Sequence, residues 1–508
     1  MLDSSIVATS LFTIAAEFHE IGTINWVALA YTLAFLSCGV LFARVSDVVG
    51  RKAAFLAAYF IFIAFSLGCG FSQNLQQLIV CRAFQGIGGS GLYSLTMIIF
   101  PELASNDQKK IIAAFVGVVL AIAGVLGPVL GGILTEYASW RWVFWINGPV
   151  GSASALLFFL TWPDKKYLPL LERRAWKEVD FLGSFLLIAS AVLIVFPFQD
   201  AGIESDQWSR ADFLAPLILG IASFVALLAW QYYIDRRRSD KMAAAVPLIL
   251  LRNGVYTATV LNTVCMGFPY LLSLYVFPTR FQVVNGKSAL EAGLMMLPML
   301  AGAAIGSTAA GALNGNRNRL FETLMAGCVL LIIGCAAETT VSDERPYEAK
   351  SLGFLVFIGL GFGFSATAST MLANIESTMR EHASAQGIVA QVRILGGSIG
   401  IAASSAILGV NTRSELAGVL PAEQLSHLAS VTSSLSPEQQ GAVRHAYTSA
   451  LREDMIVCCA VLALGTVCTL GAYRRNRLPI ADQVREQHRQ EEERRRAVRE
   501  RQANNILP

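Results

Sequence analysis

The sequence predicts an all-α membrane protein, and three observations carry that prediction. Hydrophobic residues make up 54% of the 508-residue chain and charged residues only 15%, against about 25% charge in ordinary soluble domains. The apolar residues gather in blocks of about twenty, the length a helix needs to cross the hydrocarbon of a bilayer. A soluble core would instead carry shorter apolar runs at helical or strand period. Lipid cannot satisfy exposed backbone groups, so each block must close its hydrogen bonds internally as a helix.

Fourteen blocks follow in order: 2–18, 24–42, 53–71, 78–100, 111–134, 142–162, 181–198, 213–234, 254–278, 290–313, 320–337, 352–373, 388–410 and 455–473. They divide the chain into a six-helix bundle over 1–162, cytoplasmic linkers with two extra spans over 163–253, and a second six-helix bundle over 254–473. One long outside loop is expected at 411–452, and a charged cytoplasmic tail, read as a solvated helix, at 474–508. Alternate loops are basic: Arg44, Arg51 and Lys52; Lys109 and Lys110; Lys165, Lys166, Arg173, Arg174 and Lys177; Arg236, Arg237, Arg238 and Lys241; Arg317 and Arg319. The intervening loops are poor in base, which puts both chain ends in the cytoplasm. Trp140, Trp162 and Trp208 lie at block edges, where interfacial anchors belong.

The net charge of +3 argues against a nucleic-acid partner. All nine cysteines fall in apolar blocks with no metal-like CxxC spacing and read as small buried hydrophobes. The five histidines read as loop or tail residues, so no metal site is expected within the membrane. The nearest Walker-like run, Gly286-Lys287-Ser288, has Phe281 where the leading glycine must stand, which excludes an ATP-driven pump. No catalytic site is expected either: Gly396 to Gly400 spells Gly-x-Ser-x-Gly, but it lies inside an apolar block and not on a strand-to-helix elbow.

Several motifs then bear on function. Asp47-Val48-Val49-Gly50-Arg51-Lys52 lies between the second and third spans. Gly50 suits a tight turn, and Asp47 can cap a helix or pair with arginine; the run serves as an ionic latch or as a positive-inside anchor. Arg82-Ala83-Phe84-Gln85-Gly86-Ile87-Gly88 puts an arginine inside an apolar block, which requires a partner, water or a route to the interface. Arginine keeps its proton at any working pH, so Arg82 can only set the charge state of a neighbour. Asp3, in Leu2-Asp3-Ser4-Ser5-Ile6-Val7, is the natural titrating group if it faces the bundle interior. It lies very near Met1, and the expectation is a natural first span that begins before Met1, the alternative being a short helix entering from the interface. Ala123-Gly124-Val125-Leu126-Gly127-Pro128-Val129-Leu130-Gly131-Gly132 combines close-approach glycines with a helix-bending proline.

These runs resemble the major facilitator superfamily, and its fourteen-span drug:proton antiporters (the fungal-type toxin and multidrug efflux pumps) in particular. The first is similar to G-x-L-x-D-R-x-G-R-K, with Ala43 and Val48 departing from it. Arg82 to Gly88 resembles R-x-x-Q-G-x-G, Leu2 to Val7 resembles L-D-x-[ST]-I-V, and Gly127 to Gly132 resembles G-P-x-x-G-G. Trp140 to Pro149 looks like W-R-W-x-F-x-I-N-x-P, and Arg393 to Gly400 resembles a second-half R-x-x-G-G-x-x-G helix. The resemblance implies the major facilitator fold, with two six-helix bundles and a central helix pair. It implies proton coupling at Asp3, Arg82 and Gln85 and a conformational latch at Asp47, Gly50, Arg51 and Lys52. A hinge is implied at Gly124, Gly127, Pro128, Gly131 and Gly132, and a second-half motif at Arg393, Gly396 and Gly397. Asn25, Tyr31, Asn262 and Gln391 are polar residues in apolar spans that either line the solute path or join helices.

The function expected is proton-driven export of small amphipathic compounds by alternating access, in a monomer at the plasma membrane, with no cofactor beyond the proton gradient. A siderophore or nutrient:proton symporter of the same fold is the alternative. A channel or membrane receptor without coupled transport is the reading from another class.

Overall fold

A computed structural model describes residues 2–20, 23–103, 123–124, 126–163, 176–200, 210–237, 242, 247–314, 317–344, 348–378, 381–416, 436–475 and 478–480, with single turns of the tail up to residue 493. The described residues are overwhelmingly helical and form no sheet. The first half contains α1 (Leu2–Ala8), α2 (Leu11–Phe18), α3 (Trp26–Val49), α4 (Arg51–Gly70) and α5 (Leu75–Leu103). It continues with α6 (126–137), α7 (Trp142–Trp145) and α8 (Asn147–Thr161). The extra pair is α9 (Phe181–Asp200) and α10 (Ala211–Arg237), followed by the single turn α11 (Leu248–Leu251). The second half holds α12 (Gly254–Val283), α13 (Ala289–Met295), α14 (Leu297–Leu313), α15 (Leu320–Glu338), α16 (Ala349–Ile375), α17 (His382–Leu416) and α18 (Pro437–Leu470).

Among the described residues, eleven helices are long and apolar enough to cross a membrane, and up to twelve if α3, bent by 47° near Val40, is one span. Two of the fourteen predicted blocks account for most of the difference. The first is interrupted at Thr9–Ser10, where Thr9 Oγ1 donates to the Ile6 carbonyl at 3.2 Å and the Ser10 and Thr135 hydroxyls share a hydrogen bond of 2.8 Å. Hydroxyls that compete for backbone acceptors loosen a helix in this way. Most of the fifth, 111–122 and 125, lies outside the described residues, as do Lys109, Lys110, Lys165, Lys166, Arg173, Arg174, Arg238, Lys241 and Trp208.

Large apolar side chains point outward along the helices, among them Phe60, Leu160, Ile218 and Leu464. In a water-soluble protein such a surface would aggregate; here lipid covers it. Because lipid is as apolar as leucine, the helices gain little from hydrophobic burial against one another and associate through close packing instead. Glycine supplies that closeness: a Cβ at Gly359 or Gly363 of α16 would overlap the Met299 or Ala303 carbonyl of α14. The same holds where Gly267 of α12 meets the Arg393 carbonyl of α17 and Gly396 meets the Val264 carbonyl.

The extra pair is anchored by Asp180, a buried acid just before α9. It accepts from Gly183 N–H at 2.8 Å and from Trp230 Nε1 and Gln231 Nε2 of α10 at 2.8 and 2.7 Å. α9 lies against both α3 and α17, so the pair sits along the seam between the halves.

Three expectations need correction. The stretch 411–452 is not one loop: α17 runs on to Leu416 and α18 begins at Pro437, leaving 417–435 outside the described residues. Ser436 and Gln439 form a capping box with Pro437 at the first helical position, a strong start signal, and both extensions pack on Val284, Val443 and Ala446. His445 therefore lies in a helix, where it meets Asp343 at 3.0 Å and holds that carboxyl below its ordinary range. Trp140 is buried rather than interfacial, and its Nε1 donates to Glu17 at 2.6 Å. The tail also touches the bundle, since Gln487 Nε2 donates to the Ile375 and Ser377 carbonyls at 3.0 Å and Arg474 pairs with Glu376 at 3.1 Å.

The α14–α16 contact is the most sensitive to added volume. Gly359→Val must displace a backbone carbonyl rather than a flexible side chain, and overpacking of this kind costs about 1–3 kcal/mol. We expect a clearly lower unfolding temperature in detergent for Gly359→Val, with Gly353→Ala, whose Cβ would meet nothing within 4 Å, unchanged or slightly higher.

Candidate functional site

Asp3, Arg82 and Gln85 converge in one buried cluster. The side chains of Arg82 and Gln85 are fully buried and Asp3 is 6% exposed. Arg82 Nη1 bonds Asp3 Oδ2 at 2.6 Å and Gln85 Oε1 at 2.8 Å, while Nε donates to the Val27 carbonyl of α3 at 3.0 Å. Gln85 Nε2 and Asn147 Nδ2 both donate to Asp3 Oδ1, at 2.9 and 3.0 Å, and both reach Ser66 Oγ at 3.0 Å. Ser66 Oγ in turn donates a hydrogen bond to the Phe144 carbonyl at 2.9 Å. The guanidinium lies over the Tyr31 ring, 4.1 Å from its centroid, a cation–π contact strengthened by the absence of water. Five helices thus meet at one ion pair: α1, α3, α4, α5 and α8. Arg82 does not snorkel to the interface.

The sequence left Asn147, Ser66 and Val27 without roles. Asn147 was within reach, as the asparagine of the tryptophan-rich run; Ser66 is a lone hydroxyl in an apolar block and carries no signal. Tyr31, read as lining the path or joining helices, belongs to this cluster through its ring.

The glycine-proline run forms a clamp. A Cβ at Gly127 would overlap Ser5, and one at Gly131 the Ile6 carbonyl, both on α1. On the opposite side Gly132 faces Leu290, where a Cβ would stand 2.6 Å from Cα, and Gly293 faces the Pro128 carbonyl. Glu136 accepts the Leu290 N–H at 3.2 Å. Helix α6 is therefore held against α1 of its own half and α13 of the other. Gly124 meets nothing within 4 Å and takes no part in the clamp.

The contacts between halves cluster along α3 and α17 and toward the face opposite the basic loops. Gln282 Nε2 donates to the Thr9 carbonyl at 3.3 Å, Asn25 bonds Ser405, and Ser398 donates to Thr32 at 3.2 Å. Gln391 lies beside Gly39 on the same seam. Asn25 lines a cavity between the halves together with Leu11, Tyr275 and Ser404. Asn262 is off this cavity: it is fully buried in the second half, where Cys328 Sγ lies 3.2 Å from its carbonyl oxygen, so it joins helices.

At the basic face, Gly50 turns the chain from α3 to α4 with φ 98°, a conformation that favours glycine. Asp47 pairs with Arg51 at 2.6 Å and Arg44 at 4.0 Å, and Lys52 donates to the Phe159 carbonyl at 3.2 Å. These pairs all lie within the first half. In the second half, Arg393 Nη2 donates to Ser369 Oγ at 3.2 Å and to the Ala366 carbonyl at 3.3 Å, while Gly396 and Gly397 let α12 approach. All nine cysteines are free thiols.

Arg82→Leu strands a buried carboxylate, which costs about 3–5 kcal/mol. Adding Asp3→Asn removes the uncompensated charge, and we expect the double variant to be more stable than Arg82→Leu alone; denaturant unfolding of the four proteins in detergent reads the coupling directly.

The chain matches the Major Facilitator Superfamily model over residues 1–251 and 201–401. It is 32% identical to the MFS-type transporter FPY5 of Fusarium mangiferae over 472 residues, covering 90% of this chain and 78% of the relative. It is 28% identical to the efflux pump dotC of Dothistroma septosporum, covering 92% and 81%. In fold it is similar to a bacterial homolog of the human lysosomal transporter Spinster, with a TM-score of 0.64 at 15% identity and 93% of each chain covered. A nucleoside transporter, NupG, aligns with a TM-score of 0.58 at 12% identity, covering 93% of this chain and 97% of the other. The chain belongs to the major facilitator superfamily and is a multi-pass membrane transporter.

Proposed function

We propose that this transporter exports small amphipathic compounds in exchange for protons, by rocking of its two halves about the α3–α17 seam. The observation that carries the reading is the donor-only surround of Asp3. Arg82, Gln85 and Asn147 all donate to its carboxylate, and a carboxylic acid must itself donate. A proton arriving at Asp3 cancels the charge that faces Arg82 and adds an O–H among groups placed to donate, which leaves Arg82 buried with less compensation. Its binding therefore weakens the present packing of α1 against α5, which is the differential affinity that coupling requires.

The clamp of α6 between α1 and α13 supports alternating access, since loosening α1 loosens the seal between the halves. Asp47 and its arginines act as the latch at the basic face, and Arg393 braces the corresponding helix of the second half. The relative named an efflux pump favours export over uptake. The protein works as a monomer with the proton gradient as its energy source, in the plasma membrane with both ends in the cytoplasm. The central pair and the broken first helix both count toward the fourteen-span arrangement expected from the apolar blocks.

Cells overproducing the chain are expected to lose a lipophilic toxin faster than controls, and a protonophore abolishes the difference. Asp3→Asn and Arg82→Ala remove the dependence on the pH gradient, measured as substrate-driven proton movement in proteoliposomes. Faster accumulation instead of loss favours the symporter reading, and transport indifferent to the pH gradient favours a channel.

A further inference from the structure

Another buried acid, far from the Asp3 cluster in the sequence, faces the cavity between the halves. Asp454 of α18 is 1% exposed and lines that cavity with Leu11, Asn25, Tyr275, Ser404 and Leu451. Ser404 Oγ donates to Asp454 Oδ2 at 2.6 Å, but Oδ1 has no partner. Among the described residues no lysine, arginine or histidine pairs with it. Arg280, also on the cavity wall, gives Nη2 to the Ser342 carbonyl at 3.0 Å, and the adjacent Glu453 is engaged by Asn411 at 2.9 Å. An ionised carboxylate buried with a single donor is costly unless a cation joins it. The remaining wall is largely aliphatic and aromatic, suited to an apolar body. It is built by α2 and the turn that leads into α3 from one half and by α12, α17 and α18 from the other, so an occupant touches both halves.

We infer that Asp454 is the cation-recognising residue of the solute cavity, and that the preferred solutes carry a protonated amine on an apolar body. This deepens the export reading and rests on it. The ammonium N–H donates to Oδ1, Ser404 holds the other oxygen in place, and the apolar body lies against Leu11, Tyr275 and Leu451.

The test uses the full chain purified in nanodiscs and a matched pair of probes: dansylcadaverine, a primary amine, and its neutral N-acetyl derivative. Wild-type protein is expected to bind the amine about tenfold more tightly or better, the range of a hydrogen bond to a charged group in a dry site. Asp454→Asn and Asp454→Gln bind both probes alike, at the affinity of the neutral one, whereas Asp454→Glu and Ser404→Ala keep a preference. Monodispersity by gel filtration checks that each variant is folded. Equal binding of the two probes by wild type, no binding of either, or a wild-type preference retained in both neutral variants overturns the inference. Gradient-driven efflux of the neutral probe from cells without any amine preference overturns it while leaving the export reading intact; loss of all gradient-driven efflux removes the export reading itself.

Discussion

One buried ion pair organises the first half of this transporter. Arg82 cannot shed its proton and its side chain is fully buried, so the helices around it supply its compensating groups, although Nη2 finds no hydrogen-bond partner. Asp3 supplies the charge, the Val27 carbonyl and Gln85 accept, and Tyr31 offers its ring face. Each comes from a different helix or a different turn, so the pair fixes how α1, α3 and α5 sit together. Asn147 and Ser66 extend the network to α8 and α4. Its contacts come from several helices at once, so the network holds only when those helices keep their present relative positions.

The second constraint is the lack of a hydrophobic force between helices in lipid. Contact must come from shape, and small residues provide it. Two kinds of glycine contact occur. Within the second half, Gly359 and Gly363 seat α16 on α14, and Gly267 and Gly396 join α12 to α17. Across the seam, Gly132 and Gly293 bring α6 and α13 into backbone contact. The first kind joins helices within one half and the second joins the two halves. The geometry is the same in both; its place in the fold decides its use.

The halves differ in how they hold charge. The first half neutralises its buried arginine internally, and the second carries Asp454 with only Ser404 as donor. The polar groups on the cavity wall thus come chiefly from the second half, while the tightly closed ionic cluster belongs to the first. Such a division separates the buried ion pair of the first half from the singly bonded carboxyl on the cavity wall, and the α3–α17 seam runs between the halves that hold them.

Much of this was legible in the amino-acid order. Block length in lipid is set by bilayer thickness, so the long spans were readable directly, as were Arg82 and Asp3, because charge inside an apolar block stands out. Helix ends beyond the membrane faces were not, since α17 and α18 continue in water with ordinary composition and rest on a small cluster around Val284 and Val443. The break at Thr9–Ser10 and the burial of Trp140 depend on neighbours distant in the chain. Asn262 and Tyr31 looked alike as polar residues in apolar spans, yet one joins helices and the other faces Arg82. By itself, the sequence determined that the chain crosses a membrane repeatedly and which residues are too polar to face lipid, because transfer from water to hydrocarbon is a property of each side chain. Only the tertiary structure decided which of those residues meet, because pairing depends on the relative rotation and depth of helices that are remote from one another in the chain.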